Sequence, residues 1–432
     1  MRNRPISHLA VPVVIAFCLA SCGRNKTPDY RLGQLAPAPD WAALQVYQHT
    51  ISRDAFVHLL EDIYSEGNAW QDTIKIHADH AAIRKSTAGG SSGQELFRLF
   101  FSETAHPIPP PRYWRTAGEL PPANDLGQRP LGGLRIAIDP GHIGGQWAQT
   151  EERWYQIDGG TPVREGDMAL SVARLLRPRL EALGALVTLV REDSEPVTTS
   201  RPGDFTPEAH RHLLAMGVDP GDPASAPTPG LTVRRHSEKL FYRTSEIRAR
   251  AEKINRDIRP DLVLCLHFNA EPWGNPEIPE LVTANHLHLL INGTYSRGEL
   301  RLDDQRYEML IRLLQRTHRS ELAISRTVSA ALSAASGLPP FVYPGTNAKR
   351  VDDNPYTFAR NLIANRLYRC PVIFLEPYVM NNAGVYARVQ AGDYDSEKRV
   401  DGVLQKSLFR EYADAVTDGL RLYYQGAKNP SP

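Results

Sequence analysis

The chain predicts an α/β fold, a mostly parallel sheet with helices on both faces, preceded by a small, mainly helical N-terminal domain. Three observations lead there. Beyond residue 131, short β-branched and leucine-rich runs alternate with helical stretches, the pattern of a parallel sheet with crossover helices. Before it lies a proline-dense stretch, 105–131, with Pro107, Pro109, Pro110, Pro111, Pro121, Pro122 and Pro130, which suits an extended connector better than a packed element. And 432 residues exceed what one compact core usually occupies.

Taken in order, residues 1–21 read as an export signal. Arg2 and Arg4 give a positive start, and Leu9 to Ala20 form an apolar run shorter than the ~20 residues of a membrane span. The run ends in Leu19-Ala20-Ser21-Cys22, which resembles the lipobox of bacterial lipoproteins. That resemblance implies lipidation of Cys22, a mature chain starting there, and attachment to a membrane through the lipid. Gly23, rather than Asp, after the cysteine favours the outer membrane by the same resemblance. Residues 22–39 carry no hydrophobic period and suit a tether.

Over 40–104 the expectation is a small helical unit. Asp40 and Ser52 are candidate helix caps, and Phe56, Leu59, Leu60, Ile63 and Tyr64 follow the spacing of a buried helical stripe. Thr73 to His77 alternates like a short strand, and Gly89-Gly90-Ser91-Ser92-Gly93 reads as flexible. The main domain spans 132–427. Its expected strands are Leu134 to Ile138, Ala185 to Val190, Leu262 to Leu266, one near 286–291, and Val372 to Leu375. Its helices are expected near 166–183, 243–258, 303–337 and 402–424. The formal charge of +1 offers no field for nucleic acid.

The residues that carry chemistry fall at strand ends, where open α/β sheets form their crevice. Asp139-Pro140-Gly141-His142 places a histidine just past the first strand, and His267-Phe268-Asn269-Ala270 does so after another. Between them Glu165 begins a helix, where the dipole favours a carboxylate. Two imidazoles and a carboxylate are a common catalytic zinc set with a fourth position open for water. A single histidine after a strand is more often structural; the coincidence of three such residues is what points to a metal. Glu376, closing the apolar run Pro371 to Leu375, needs solvent, a cation or a metal-bound water to offset its burial.

These motifs, in this order, resemble the zinc-dependent N-acetylmuramoyl-L-alanine amidases of the amidase-3 type. The resemblance runs over roughly 132–425 and includes Leu375-Glu376 followed by Asn381, Val190-Arg191 with Asp193, and Arg250 to Asn255. It implies Zn2+ held by His142, Glu165 and His267, and Glu376 as the catalytic acid and base. The implied reaction is peptidoglycan hydrolysis at the amide joining the lactyl group of N-acetylmuramic acid to L-alanine of the stem peptide. It further implies a place in the cell envelope, on the periplasmic side; control of such a hydrolase is expected, but whether an activator or divisome partner exerts it is left open, since no motif names one. Two alternatives remain open at this point: an inactive peptidoglycan-binding or regulatory module, and a zinc hydrolase of another cell-wall amide.

Three stretches depart from the family pattern. A long loop with Trp147, Trp154 and Tyr155 follows His142. An insertion over 196–242, rich in proline and poor in hydrophobic period, reads as a lid, a substrate wall or a solvent loop. The segment Arg301 to Leu338 either covers the cleft as an inhibitory element or pads the fold. His210 with His212, and His286 with His288, raise a second-metal reading that period-two spacing explains more simply. If His267 and Glu376 end neighbouring parallel strands, Cys265 and Cys370 are offset by ~13 Å at ~3.3 Å per residue, too far for a disulfide. Both are expected reduced and buried.

Overall fold

The computed structural model describes residues 35–85, 95–104, 107–121, 129–222, 232–275 and 278–428. The export signal, Cys22 and residues 22–34 of the tether lie outside the described residues, as do Gly89 to Gly93 and the insertion's Pro223, Pro227 and Pro229.

Residues 40–104 form the expected helices and add a three-stranded antiparallel sheet to them. The caps form as expected: Asp40 accepts from the Ala42 N–H at 3.1 Å and Ser52 from that of Ala55 at 3.3 Å. The helix Arg53–Leu59 runs on through Leu60–Tyr64 and buries its apolar stripe. The alternating segment becomes strand β1 (Ile74–Ile76), but it pairs with two further strands, β2 (His80–Lys85) and β3 (Glu95–Phe100), in an antiparallel sheet. Strand β3 turns Phe97 and Leu99 inward and Leu96 and Arg98 outward, a period-two signal; β2 buries Ala81, Ala82 and Ile83 in a row and so shows no period. The core of this region does not close on itself. Leu44, Phe56 and Ile63 share one cluster with Met309, Leu310, Leu313 and Leu314 of the helix Asp303–Gln315.

The described part of the connector, 107–121 and 129–131, has little regular structure, yet it is fastened. Trp114 is buried, and Arg115 forms an ion pair with Asp261 at 2.7 Å.

The main domain is a mixed α/β layer structure around a seven-stranded, mostly parallel sheet. Strand β4 (Arg135–Pro140) is followed by a two-strand ribbon of β5 (Trp154–Tyr155) and β6 (Val163–Arg164). Then come β7 (Leu186–Leu189), β8 (Leu262–Leu266), β9 (Leu287–Ile291), β10 (Lys349–Arg350), β11 (Thr357–Ala359) and β12 (Val372–Pro377). The spatial order is β10-β11-β9-β12-β8-β4-β7. Strands β7, β4, β8 and β12 run parallel, so their carboxyl ends meet on one edge, while β9 runs antiparallel to β12. β4, β8 and β12 are buried almost throughout, which their near-continuous apolar runs foretold.

Helices cover both faces. On one face, Glu165–Ala182 and Leu408–Lys428 contribute Met168, Val172, Leu176, Tyr412 and Val416 to the largest apolar cluster. The other face buries Val263, Cys265 and Phe374 under Ala251, Ile254 and Leu367. Cys265 and Cys370 are free and buried, as the strand offset requires.

One expectation needs correction and one pair of alternatives is decided. The closing helix starts at Leu408, because 398–405 form a hairpin of β13 (Lys398–Val400) and β14 (Val403–Gln405). The segment Arg301 to Leu338 does not cover the cleft: Asp303–Gln315 packs under the N-terminal region and Thr317–Ser336 packs against the closing helix. Its junction is fixed by a fully buried Arg312–Glu321 ion pair that also binds the backbone at Tyr368, Cys370 and Val372. No described helix is long and apolar enough to cross a membrane.

Candidate metal centre

The site begins with how β4 ends. His142 takes a left-handed backbone, φ 56°, which turns the chain off the strand at a steric cost of about 1 kcal/mol. Buried charges hold that turn. Arg250, on the helix Glu246–Glu252, donates to Asp139 at 2.8 Å, to the Pro140 carbonyl at 2.7 Å and to the His142 carbonyl at 2.7 Å, while its Nε reaches Glu246 at 2.7 Å. Tyr368 donates to the other Asp139 oxygen at 2.5 Å. Arg191 reaches the Gly166 carbonyl at 2.8 Å and so links the turn to the start of the next helix.

Gly141 is required by close approach. A Cβ there would lie 2.3 Å from the ring of His267, so any side chain would displace that imidazole. Its amide bonds the Leu266 carbonyl at 2.8 Å, which brings the ends of β4 and β8 together. Likewise a Cβ on Gly166 would meet the Gly144 amide at 2.4 Å, so only glycine lets the loop after His142 lie on the helix start.

Glu165 stands between the two histidines. One oxygen lies 3.0 Å from His267 Nδ1 and accepts from the Phe268 N–H at 3.2 Å; the other lies 3.2 Å from His142 Nε2 and 3.5 Å from Arg153 Nε. His142, Glu165 and His267 each offer a ligand atom, all within 4.8 Å of one another. The His267 ring stacks on Phe374 at 4.2 Å between centroids. Glu376 closes β12: its neighbour Leu375 pairs with Leu266, and the Leu375 carbonyl accepts from the His267 N–H at 3.0 Å. All four sequence-predicted residues therefore meet at the carboxyl edge of β4, β8 and β12.

The electrostatics are those of a place short of positive charge. Burial pushes Glu165 up, yet His142 and His267 outweigh it and hold the carboxyl well below its usual range. Burial pushes His142 down, but Glu165 and Glu151 raise it to about 9. For His267 burial prevails over Glu165, and the imidazole is lowered. Burial, followed by the facing Glu165, drives Glu376 well above the usual carboxylate range. Two imidazole nitrogens and one oxygen of a buried carboxylate, all within 4.8 Å of one another, fit a borderline-soft divalent cation such as zinc, with a ligand position to spare.

His142, Glu165 and Glu376 help to line a cavity of about 1170 Å³. Other lining groups were not legible as site residues. Arg153 and Trp154 come from the atypical loop, Trp273 from the segment after His267, and Arg360 from beyond β11. Thr232, Arg234, Arg235 and Glu238 come from the insertion, which carries the helices Thr206–Ala215 and Val233–Lys239. Behind the loop, Glu151 is 3.4 Å from His142 Nδ1. No motif marks any of these. Of the histidine pairs, His286 and His288 lie against the Asn269 amide at 3.2 and 3.4 Å, and His212 sits 2.5 Å from His236 across the two insertion helices, not beside His210.

No family model and no curated protein matches the chain. Among solved structures it is similar to the apo N-acetylmuramyl-L-alanine amidase of Mycobacterium abscessus, at 18% identity, covering 68% of this chain and 99% of that one, with a TM-score of 0.36. It is also similar to the CwlD amidase of Clostridioides difficile in complex with the GerS lipoprotein (13% identity, 67% and 96% covered, TM-score 0.38). A third is the catalytic domain of an N-acetylmuramoyl-L-alanine amidase from Bacillus (Paenibacillus) polymyxa var. colistinus (13% identity, 67% and 96% covered, TM-score 0.34). At these identities and scores, the functional reading rests on the site itself.

Proposed function

We propose that the protein is a zinc-dependent peptidoglycan amidase, cleaving the bond between the lactyl carbonyl of N-acetylmuramic acid and the nitrogen of L-alanine. The observation that carries this reading is the convergence of His142, Glu165 and His267 within 4.8 Å beside Glu376 in one cleft. His142, Glu165 and His267 would hold the metal. Bound there, zinc would supply a polarised carbonyl and a water acidified towards a pKa of ~7.

Glu376 does the proton work. Burial and the nearby Glu165 raise its proton affinity; as the carboxylate it would take the attacking water's proton and then deliver it to the leaving amine nitrogen. The buried Arg250 and Asp139 network keeps the His142 turn from shifting while charge moves. The cleft's polar lining suits a substrate that is part sugar and part peptide. Substrate identity follows from the motif resemblance, since metal and base do not choose the amide. The lipobox-like Leu19-Ala20-Ser21-Cys22 supports a place in the envelope, with a tether through Cys22 to a membrane, and Gly23 after it favours the outer one; peptidoglycan is the proposed partner.

The test is digestion of purified sacculi with mass analysis of the products, alongside metal analysis of the protein and of Glu376→Ala. Free stem peptides, bound zinc in both proteins, and turnover reduced by roughly 10²–10⁴ in the variant are expected. Cut cross-links would make it a peptidase, and no product a wall-binding module. Retained turnover in Glu376→Ala would remove that residue from the mechanism.

A further inference from the structure

Glu151 is a buried carboxylate on a loop foreign to the family pattern, at the end of the short helix Trp147–Thr150. Its side chain is 2% exposed. A carboxylate so placed is costly unless partnered. One oxygen, Oε2, accepts from the Ile143 N–H at 2.9 Å and lies 3.4 Å from His142 Nδ1. With Nδ1 turned to Glu151, the opposite ring nitrogen, Nε2, is the one that faces Glu165 at 3.2 Å.

We propose that Glu151 is a positioning residue that fixes the ring of His142 for metal binding. The Nδ1–H donates to Glu151, which selects the tautomer whose Nε2 lone pair is free for the cation and stops the ring from rotating. The two histidines are thus oriented by different means. His267 stacks on Phe374 and turns its Nδ1 to Glu165, and among the described residues no second carboxylate pairs with its ring. The loop holding Glu151 is itself braced from the insertion side: Trp147 packs on Phe241 at 5.1 Å between centroids, and Glu152 pairs with Arg235 at 3.6 Å.

The inference rests on the metal-site reading, so the experiment separates the two. Metal-free full-length protein is titrated with zinc against a competing chelator, comparing wild type, His142→Ala, Glu151→Gln and Glu151→Asp, with the melting temperature of each metal-free protein recorded. Glu151→Gln keeps an acceptor for the Ile143 amide, so the fold should hold while zinc affinity drops about 10- to 100-fold. Glu151→Asp should recover part of that loss. Zinc affinity in Glu151→Gln within twofold of wild type overturns the positioning role while leaving the site intact. Equal losses of affinity in the Gln and Asp variants, matched by equal drops in melting temperature, reduce Glu151 to a structural acid and also overturn it. Wild type that binds no zinc, or binds it as His142→Ala does, overturns the metal site and this proposal together.

Discussion

The floor of the cleft and the wall opposite it are both held by arginine–carboxylate pairs, but in different media. Under His142, Arg250 is 3% exposed and its partners Asp139 and Glu246 are 5% and 2% exposed. Along the wall, the Arg234–Glu238 pair at 2.9 Å leaves Arg234 86% exposed, and Arg235 and Glu152 are each 58% exposed. In water such pairs contribute about 0–1 kcal/mol, whereas removing one partner of a buried pair costs about 3–5 kcal/mol. The difference separates the parts: the buried floor pairs hold the His142 turn, and the exposed wall pairs add little to stability.

The largest effect expected from this contrast is at Arg250. Arg250→Met would leave Asp139 and Glu246 buried without their cation and free the carbonyls of Pro140 and His142. Urea unfolding at neutral pH should show a loss of about 3–5 kcal/mol. A loss below about 1 kcal/mol would mean that the floor's charges matter no more than those of the wall.

Asp261 sits between the two cases, buried itself but paired with Arg115 and Arg135, whose side chains are about a third exposed. Burial pushes its carboxyl up, yet hydrogen bonds from Arg135 and Arg115 outweigh that and hold it at about 2. A depressed acid contributes stability that is fully present above its unfolded pKa of ~3.9 and disappears as pH falls through the folded value. Asp261→Asn should therefore cost roughly 2 kcal/mol at pH 7 and progressively less from pH 4 downward. Parallel stability curves across that range would exclude Asp261 as the anchor between connector and sheet.

The same contrast explains what could be read from the sequence. His142, His267 and Glu376 were legible because each ends an apolar strand, and Glu165 because it opens a helix with a clear buried stripe. Their places at strand and helix ends could be read from the pattern, and their roles only from the motif resemblance. Glu151, Arg153 and Arg360 were not legible: they reach the site through loop paths and long side chains, which carry no period. The insertion's helices were hidden by their brevity and by flanking prolines, although Ala209 and Leu213 are buried four residues apart. In the N-terminal region β3 carried an alternation that could have been read, while β2 is a strand mainly because it is paired on both sides.

The smallest expected effect tests whether the wall selects substrate. Arg234 and Arg235 line the cavity from the helix Val233–Lys239, with Arg235 also touching the loop that carries Glu152. Replacing both with alanine removes only exposed pairs, so stability should change by less than about 1 kcal/mol. If the insertion is a substrate wall, KM on sacculi should rise a few-fold with kcat nearly unchanged, because these residues bind ground and transition states alike. A fall in kcat instead would show that the wall reaches the chemistry through Glu152 and the neighbouring Glu151. Unchanged KM and kcat would leave it a solvent-facing helix, and the selection of substrate would then have to come from the floor.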